Sequence, residues 1–208
     1  LAKRARPDIL LPVIFLSSRA SKSTSRDWRK LERVVKYLKG TRELGLRLKP
    51  DDGLLSIYAY VDASFAVHHD FKSHTGAVIT FGQGCIFFKS TKQKLNTKSS
   101  TEAELVGISD ALGTIIWVRE FLMSQGYEVG PAVLYQDNMS TMALVENGRG
   151  ANERSRHINI KFFVVTDRVA KGEIVIKHMP TGDMLADMLT KPLQGEVFRA
   201  MRDKILGL

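Results

Sequence analysis

Residues 57–62 read Ile57-Tyr58-Ala59-Tyr60-Val61-Asp62, an apolar run of β-branched and aromatic side chains that ends in a carboxylate. This composition predicts a strand, which we place over residues 55–62. A second apolar run, residues 132–135, ends in the same way beside Asp137. A carboxylate at the end of a buried strand is costly unless a cation uses it. Both aspartates are therefore candidate ligands of a metal ion.

Two further acids lie in segments with helical patterns. Glu104 falls in the first turns of a helix predicted over residues 100–124, beside its apolar stripe. Glu102 lies about 200° away around that helix, so we expect it to be the solvated one of the two. Asp187 lies in the short helical stretch 184–189, and Asp183 would share its helical face four residues earlier.

Four carboxylates on separate elements are the ligands that hard divalent cations require. Their mutual repulsion makes an empty cluster costly, which argues for bound ions if the four converge. Each acid alone also has an ordinary interpretation, as a turn residue, a helix cap or a first-turn acid. The order of strand end, helix, strand end and helix is more specific than any single member.

The charge of the chain is unevenly distributed along its 208 residues. Residues 1–50 hold 14 Lys and Arg against 4 Asp and Glu, a net charge of +10, whereas residues 51–208 hold 17 against 18, a net charge of −1. We therefore predict two parts, a basic helical segment over 1–50 and a globular domain over 51–208, with the boundary near residues 50–53. The basic helix is either a solvated amphipathic helix or a grip on a nucleic-acid backbone.

The composition also indicates the cellular environment of the protein. The single cysteine, Cys85, excludes an internal disulfide framework and suits a reducing environment. No apolar run approaches the roughly 20 residues that span a membrane, so we expect no membrane partner. Because the chain begins with Leu1, we expect a fragment or a processed product.

Periodicity predicts the order of the elements. Residues 7–19, interrupted at Pro12, and residues 25–40 are predicted helices, followed by strands over 55–62, 75–82 and 84–90. The helix over 100–124 precedes a strand over 132–136, helices over 139–147 and 154–171, a strand over 173–178, and helices over 183–190 and 194–206. This order describes a mixed α/β sheet flanked by helices.

Several ordered blocks of the sequence resemble the ribonuclease H domain that closes the Pol polyprotein of copia-type LTR retrotransposons. They cover residues 56–208 and are 60–65 (YVDASF), 72–76 (KSHTG), 92–94 (KQK), 99–105 (SSTEAEL), 135–138 (YQDN), 156–160 (RHINI) and 180–193 (PTGDMLADMLTKPL). Residues 1–50 resemble the end of the preceding reverse transcriptase. No Tyr-x-Asp-Asp polymerase motif is present in the sequence, so we do not expect this chain to polymerise DNA by itself.

The resemblance implies a ribonuclease H-like, mixed five-stranded sheet flanked by helices and preceded by a small helical segment. It implies a metal-dependent endoribonuclease that hydrolyses the RNA strand of RNA–DNA hybrids with two Mg²⁺ ions, for which Mn²⁺ can substitute. The implied partners are the hybrid and the rest of the Pol polyprotein, in an intracellular, cytoplasmic virus-like particle. Carried over residue by residue, the metal-binding and catalytic carboxylates are Asp62, Glu104, Asp137 and Asp187.

Substrate contacts are expected around the entrance to the 100–124 helix. The candidates are four lysines and three small polar residues able to reach phosphate or 2′-hydroxyl groups: Lys89, Lys92, Lys94, Lys98, Ser99, Ser100 and Asn138. The lysines could equally form a solvated loop. We interpret His178 as structural and leave His157 undecided.

Two alternative functions stay open at this point. The first is a catalytically inactive or domesticated module of the same fold that only binds nucleic acid. The second is another polynucleotidyl transferase of this fold, such as an integrase, which typically uses three acids and which the 190–193 ending fits poorly.

Overall fold

The fold is described from a computed structural model, which covers residues 1–51, 55–146 and 156–208, without the side chains of residues 156 and 157. The strands are β1 (Lys49–Pro50), β2 (Tyr58–Ser64), β3 (His74–Thr80), β4 (Gly82–Gln83), β5 (Cys85–Lys92), β6 (Ala132–Gln136) and β7 (Ile174–His178). The α-helices are α1 (Leu10–Ser18), α2 (Ser25–Gly40), α3 (Ser100–Ser124), α4 (Met139–Glu146), α5 (Arg156–Ala170) and α6 (Gly195–Leu206). Short 3₁₀ helices span Pro7–Ile9, Ala20–Lys22, Thr181–Asp183 and Leu185–Leu189. Within these described residues, no helix combines the length and apolar character that a membrane crossing needs.

Five strands form one mixed sheet in the order β5-β3-β2-β6-β7. Strand β3 is antiparallel to both β5 and β2, whereas β6 is parallel to both β2 and β7. A separate two-stranded sheet joins β1 to β4. The predicted fold class, a mixed five-stranded α/β sheet flanked by helices, is confirmed.

The two faces of the sheet carry separate apolar cores. Ile57, Ala59 and Val61 lie before and within β2 and pack with α3 and α5 in one core, which also includes Phe162. Alternate residues of a strand point to opposite faces, and Tyr60 accordingly packs against the other core. That second core contains Val78, Cys85, Leu189 and Ile205 among its buried members.

Glycine allows α3 to lie close to the sheet. A Cβ built on Gly107 would lie 3.3 Å from Cγ1 of Val61 and 3.4 Å from Thr75, tighter than ordinary side-chain contact. The close approach carries Glu104, one turn earlier in α3, to the end of β2.

The basic N-terminal segment packs against the second core. Ile9 and Leu10 are buried there, and α1 contacts both β5 and the 3₁₀ helix Leu185–Leu189. A capping box at Thr24 begins α2. Arg6 and Asp8 form a buried ion pair, and Asp8 also accepts a hydrogen bond from the hydroxyl of Tyr37. The division of the chain at residue 50 stays a prediction.

Several predicted boundaries differ from the observed ones. The helix expected over 7–19 is a 3₁₀ turn followed by α1, and Pro12 lies in the first turn of α1, where no backbone donor is needed. The helix expected over 183–190 is wrong: Asp183 and Asp187 lie in two separate 3₁₀ turns with extended Met184 between them. The pairing of β1 with β4 was not predicted. Residues 52–53 of the expected boundary, residue 147 and residues 154–155 lie outside the described residues.

Candidate metal centre

Asp62 and Asp137 meet because the strands that carry them are parallel neighbours. Residues Tyr58 to Tyr60 of β2 pair in register with Val133 to Tyr135 of β6. The carboxyl ends of both strands therefore lie at the same edge of the sheet. Asp62 is near the end of β2, and Asp137 is the first residue after β6.

Asp187 joins them from the other end of the sequence. One carboxylate oxygen from each of Asp62, Asp137 and Asp187 lies within 4.8 Å of the other two. Asp62 is 2% exposed and Asp187 is 4% exposed, while Asp137 is half-buried. The three oxygens are thus close enough together to share a cation, and two of the carboxylates have little access to water.

The 3₁₀ helix Leu185–Leu189, which carries Asp187, rests directly on β3. A Cβ built on Gly76 would lie 2.7 Å from the carbonyl oxygen of Ala186 and 2.8 Å from Cγ2 of Thr190. Gly76 pairs with Asp62 across the β2–β3 ladder. Because Gly76 has no side chain, the turn that carries Asp187 can lie against β3, close to Asp62.

Two residues that the sequence reasoning did not select complete this contact. The hydroxyl of Thr190 donates to Oδ2 of Asp62. The ammonium nitrogen of Lys191 lies 2.7 Å from Oδ1 of Asp187 and 3.3 Å from Oδ1 of Asp62. The i, i+4 spacing of Asp187 and Lys191 was the one signal in the sequence that could have identified the lysine.

Glu104 stands next to this triad and is held by two donors. Its Oε1 accepts from the backbone N–H of Ala63, 3.1 Å away, and its Oε2 accepts from the amide of Gln136, 3.2 Å away. The carbonyl oxygen of the Gln136 side chain accepts from the backbone N–H groups of Asp137 and Asn138 at 2.8 and 3.1 Å. Gln136, also missed from the sequence, therefore links Glu104 to Asp137. Glu102 is more exposed than Glu104, as predicted.

The carboxylates repel one another and are poorly hydrated. Burial, reinforced by the charge of Asp62, raises the pKa of Glu104 to about 9, although the bonds from Ala63 and Gln136 oppose the shift. Burial also raises the pKa of Asp187 to about 6, against the opposing bond from Lys191. The pKa of Lys191 is raised as well, because its bond to Asp187 and the charge of Asp62 outweigh its own burial.

Asp137 receives a further donor at the rim of the cluster. The hydroxyl of Thr181 lies 3.1 Å from Oδ2 of Asp137. Thr181 begins the 3₁₀ helix Thr181–Asp183, which precedes Asp187. The segment that carries Asp187 is therefore linked to the end of β6 through Thr181 and to β2 through Thr190.

The predicted substrate-contact residues surround the same end of the sheet. Lys92 pairs with His74, and His74 with Ser64, two residues beyond Asp62. Lys89 is half-buried in β5, Lys92 forms an exposed ion pair with Asp70, and Lys94 and Lys98 are exposed. Ser99 caps α3, Ser100 is its exposed first residue, and Asn138 caps α4 through Thr141. The roles of these residues in binding stay predictions.

The two histidines considered from the sequence lie differently. His178 is exposed at the end of β7, opposite Gln136 in the β6–β7 register. The side chain of His157 lies outside the described residues.

The donor set suits a hard divalent cation. Every candidate ligand is a carboxylate oxygen, the type that Mg²⁺ and Mn²⁺ prefer. Glu104 and Asp187 have raised pKa values chiefly because burial disfavours their charged forms, and a bound divalent cation would stabilise those forms. These residues therefore fit the metal ions that the resemblance implies.

Comparison with known proteins gives relatives along nearly the whole chain, although no protein-family model matches it. Two retrovirus-related Pol polyproteins of Arabidopsis thaliana, from transposons RE2 and RE1, are each 34% identical over 202 residues, which is 96% of this chain. A Pol polyprotein from transposon TNT 1-94 of Nicotiana tabacum is 29% identical over 201 residues, again 96% of the chain. The chain spans only 14% of the length of the Arabidopsis polyproteins and 15% of the tobacco one.

Among solved structures, the chain is similar to LC11-RNase H1, isolated from compost by a metagenomic approach. The TM-score is 0.49 at 18% identity, covering 65% of this chain and 93% of that one. The ribonuclease H domain named PFV gives a TM-score of 0.44 at 16% identity, covering 74% and 93%. On the strength of the Arabidopsis relatives, the chain belongs to the family of retrovirus-related Pol polyproteins from copia-type transposons.

Proposed function

We propose that this chain is a metal-dependent endoribonuclease that hydrolyses the RNA strand of RNA–DNA hybrids during reverse transcription of a retrotransposon. The observation that carries the proposal is the convergence of Asp62, Asp137 and Asp187 within 4.8 Å, with Glu104 bonded to the residue after Asp62. Elements 128 residues apart in sequence are joined there by the Thr190–Asp62 bond. Buried carboxylates held together at this cost indicate a cation-dependent use.

The proposed cofactor is a pair of Mg²⁺ ions, with Mn²⁺ as a substitute. By the resemblance, Asp62, Glu104, Asp137 and Asp187 would hold these ions. When bound, such ions lower the pKa of an attacking water and stabilise the leaving 3′ oxygen.

The surrounding residues have supporting roles in this proposal. Thr190 occupies one oxygen of Asp62 and so fixes the rotation of its carboxylate. Gln136 fixes Glu104 in the same way and orients the chain that presents Asp137. Lys191 neutralises part of the charge and must move from Asp62 and Asp187 before a cation takes its place.

The proposed substrate fits the charged and polar groups around the cluster. Lys89, Lys92, Lys94 and Lys98 would contact phosphates without reading sequence. Ser99, Ser100 and Asn138 would contact phosphate or the 2′-hydroxyl groups that distinguish RNA from DNA. The proposed partner is the remainder of the Pol polyprotein, and the proposed setting is the cytoplasmic virus-like particle of the element.

A cleavage assay tests the proposal. The chain is incubated with Mg²⁺ and end-labelled RNA–DNA hybrid, with RNA–RNA and DNA–DNA duplexes in parallel. We expect cleavage of the hybrid RNA alone. Asp137→Asn should lower the cleavage rate by at least about 100-fold, since metal ligands supply several kcal/mol of transition-state stabilisation. Asp110→Asn is the matched control, because Asp110 is a carboxylate of α3 that pairs with Lys161 outside the cluster.

The same assay separates the alternatives. Tight binding of the hybrid without cleavage would replace the nuclease with an inactive nucleic-acid-binding module. Cleavage or joining of DNA duplexes in preference to the hybrid would favour another polynucleotidyl transferase.

A further inference from the structure

A chain of hydrogen bonds runs from a loop near the surface to the segment that carries Asp187. Nε2 of His68 lies 3.0 Å from Nδ1 of His74, and Nε2 of His74 lies 2.8 Å from the hydroxyl of Ser90. That hydroxyl donates to the carbonyl oxygen of Leu189 at 2.7 Å. His68 is half-exposed in the loop between β2 and β3, whereas His74 and Ser90 are buried on β3 and β5.

The last acceptor determines the direction of every bond. A carbonyl can only accept, so the one proton of the Ser90 hydroxyl is used on Leu189. Ser90 must then accept from His74, which places the proton of that ring on Nε2 and leaves Nδ1 as an acceptor. His68 must in turn donate from its own Nε2. Both imidazoles are therefore assigned the Nε2–H tautomer.

Leu189 is the point at which this chain of bonds meets the metal centre. It lies between Asp187 and Thr190, the residue that donates to Asp62. The backbone N–H groups of Thr190 and Lys191 both bond back to the carbonyl of Asp187, so the turn is a single hydrogen-bonded unit. A restraint on the Leu189 carbonyl therefore also restrains Asp187 and Thr190.

The two strands hold the turn from different directions. Gly76 of β3 supports it through close backbone contact, and Ser90, which pairs with Gly76 in the β3–β5 register, supplies the hydrogen bond. Burial, and then the charge of His68, lower the pKa of His74 to about 4, so His74 is neutral and can keep the assigned tautomer near pH 7.

We propose that His74 and Ser90 are positioning residues for the metal ligands Asp62 and Asp187, and that His68 orients the ring of His74. The inference rests on the proposed function, because it gives these residues a task only if the carboxylates bind cations. It also implies that the metal ligands depend on the loop between β2 and β3. That loop must hold His68 in place for Asp62 and Asp187 to be correctly positioned.

The first experiment reads the hydrogen-bond chain without metal. A long-range ¹H–¹⁵N NMR spectrum of the metal-free protein at pH 7 should show both His68 and His74 protonated on Nε2. In Ser90→Ala the resonances of the His74 ring should shift, because its acceptor is removed. A His74 ring protonated on Nδ1 in the wild type would overturn the assignment.

The second experiment measures Mn²⁺ affinity by calorimetry, with Tm recorded for each variant. Mutation of a group that orients metal ligands typically lowers metal affinity 10- to 100-fold. Ser90→Ala should therefore bind Mn²⁺ about tenfold more weakly than the wild type. Ser90→Thr keeps the hydroxyl and should recover most of that loss. Thr80→Val is the matched control: Thr80 is buried at the opposite end of β3 from His74, and its hydroxyl donates to the carbonyl oxygen of Gly84 at 2.6 Å, outside the Asp187 turn. It should lower Tm without changing Mn²⁺ affinity.

The outcomes separate the two proposals. Equal Mn²⁺ affinity for wild type and Ser90→Ala, with a drop in Tm like that of Thr80→Val, would make Ser90 structural only and overturn the inference while the proposed function stands. A wild-type protein that binds neither Mn²⁺ nor Mg²⁺ would overturn the proposed function, and the positioning role with it, even if the NMR tautomers are as assigned.

Discussion

The ammonium nitrogen of Lys191 lies 2.7 Å from Oδ1 of Asp187 and, on its other side, 3.3 Å from Oδ1 of Asp62. A cation of this chain therefore stands between two carboxylates that come from opposite ends of the domain. The side chain of Lys191 is 37% exposed, so water can reach it and it can leave. Lys191 is a counter-ion of these two carboxylates, and we expect it to compete with any added cation.

Replacing Lys191 should reveal that competition. An exposed or partly exposed ion pair contributes about 0.2–1 kcal/mol, so Lys191→Met should bind Mg²⁺ about 1.4- to fivefold more tightly in calorimetry. The metal-free variant should melt at a lower temperature, because two buried carboxylates lose their partner. Added Mg²⁺ should restore the Tm.

Lys171→Met is the control for this substitution. Lys171 also pairs with an acid four residues away, Asp167, but both side chains are about half exposed and lie outside the cluster. It should leave Mg²⁺ affinity unchanged. Weaker Mg²⁺ binding by Lys191→Met would mean that the lysine assists the ions and does not compete with them.

The raised pKa values predict how the metal-free protein responds to pH. The pKa of Glu104 is raised from its usual 4.5 to about 9 in the folded protein. The pKa of Asp187 is raised from 3.8 to about 6. The folded state therefore binds these protons more tightly than the unfolded state does. The resulting stability is fully present below about pH 4 and is lost as pH rises to 6 for Asp187 and to 9 for Glu104, with a slope of up to about 1.4 kcal/mol per pH unit per group.

Urea denaturation between pH 5 and pH 9 checks this response. The free energy of unfolding of the metal-free protein should fall across the range, and Glu104→Gln should flatten the fall above pH 6. Because cations need the deprotonated ligands, Mg²⁺ affinity of the wild type should rise over the same range and binding should release protons. A wild-type profile that is flat from pH 6 to 9 would contradict the value for Glu104.

Gly76 should be intolerant of any side chain. The Cβ of Gly76→Ala would meet the Ala186 carbonyl at 2.7 Å, so the turn that carries Asp187 must move outward. We expect a loss of about 1–3 kcal/mol in the free energy of unfolding, as for other overpacked sites, together with weaker Mg²⁺ binding. Gly113→Ala is the control, because nothing lies within 4 Å of that helical glycine. It should stabilise the protein by up to about 1 kcal/mol.

Two basic surfaces can be compared at equal charge. Lys94→Gln/Lys98→Gln and Arg29→Gln/Arg33→Gln each remove two exposed positive charges, the first beside the metal centre and the second on α2. If both surfaces bind phosphates, each pair of substitutions should reduce hybrid affinity. The slope of log affinity against log salt should become shallower by about one for each phosphate that the variant no longer neutralises. Mg²⁺ affinity should not change in either variant.

Fluorescence anisotropy over a salt series gives these slopes. An unchanged slope for the α2 pair would assign that helix to the solvated alternative. Point substitutions are preferable to removal of residues 1–50, because Ile9 and Leu10 belong to the second core and their removal would expose Leu189 and Ile205.

Much of the carboxylate cluster could be predicted because it depends on strand ends. The apolar runs before Asp62 and Asp137 fix two strands, and parallel pairing brings their ends together without any detail of packing. Glu104 followed from its place beside the apolar stripe of α3. These predictions use local pattern and general sheet geometry only, both of which a sequence carries.

Thr190, Lys191 and Gln136 could not be predicted in this way, because their contacts depend on how the Asp187 turn docks. The sequence favoured one helix with Asp183 and Asp187 on a shared face, but the segment forms two 3₁₀ turns separated by extended Met184. The docking depends on Gly76, more than 100 residues earlier, and a single glycine in a strand carries no local sign of what will approach it.

The bond between Thr190 and Asp62 joins residues 128 positions apart, and all five strands of the main sheet precede the turn that supplies Thr190. The sheet strands are therefore synthesised before the residues that complete the carboxylate cluster. A premature stop between His178 and Asp187 would remove Asp187 and Thr190 from that cluster and, with them, the second-core residues Leu189 and Ile205.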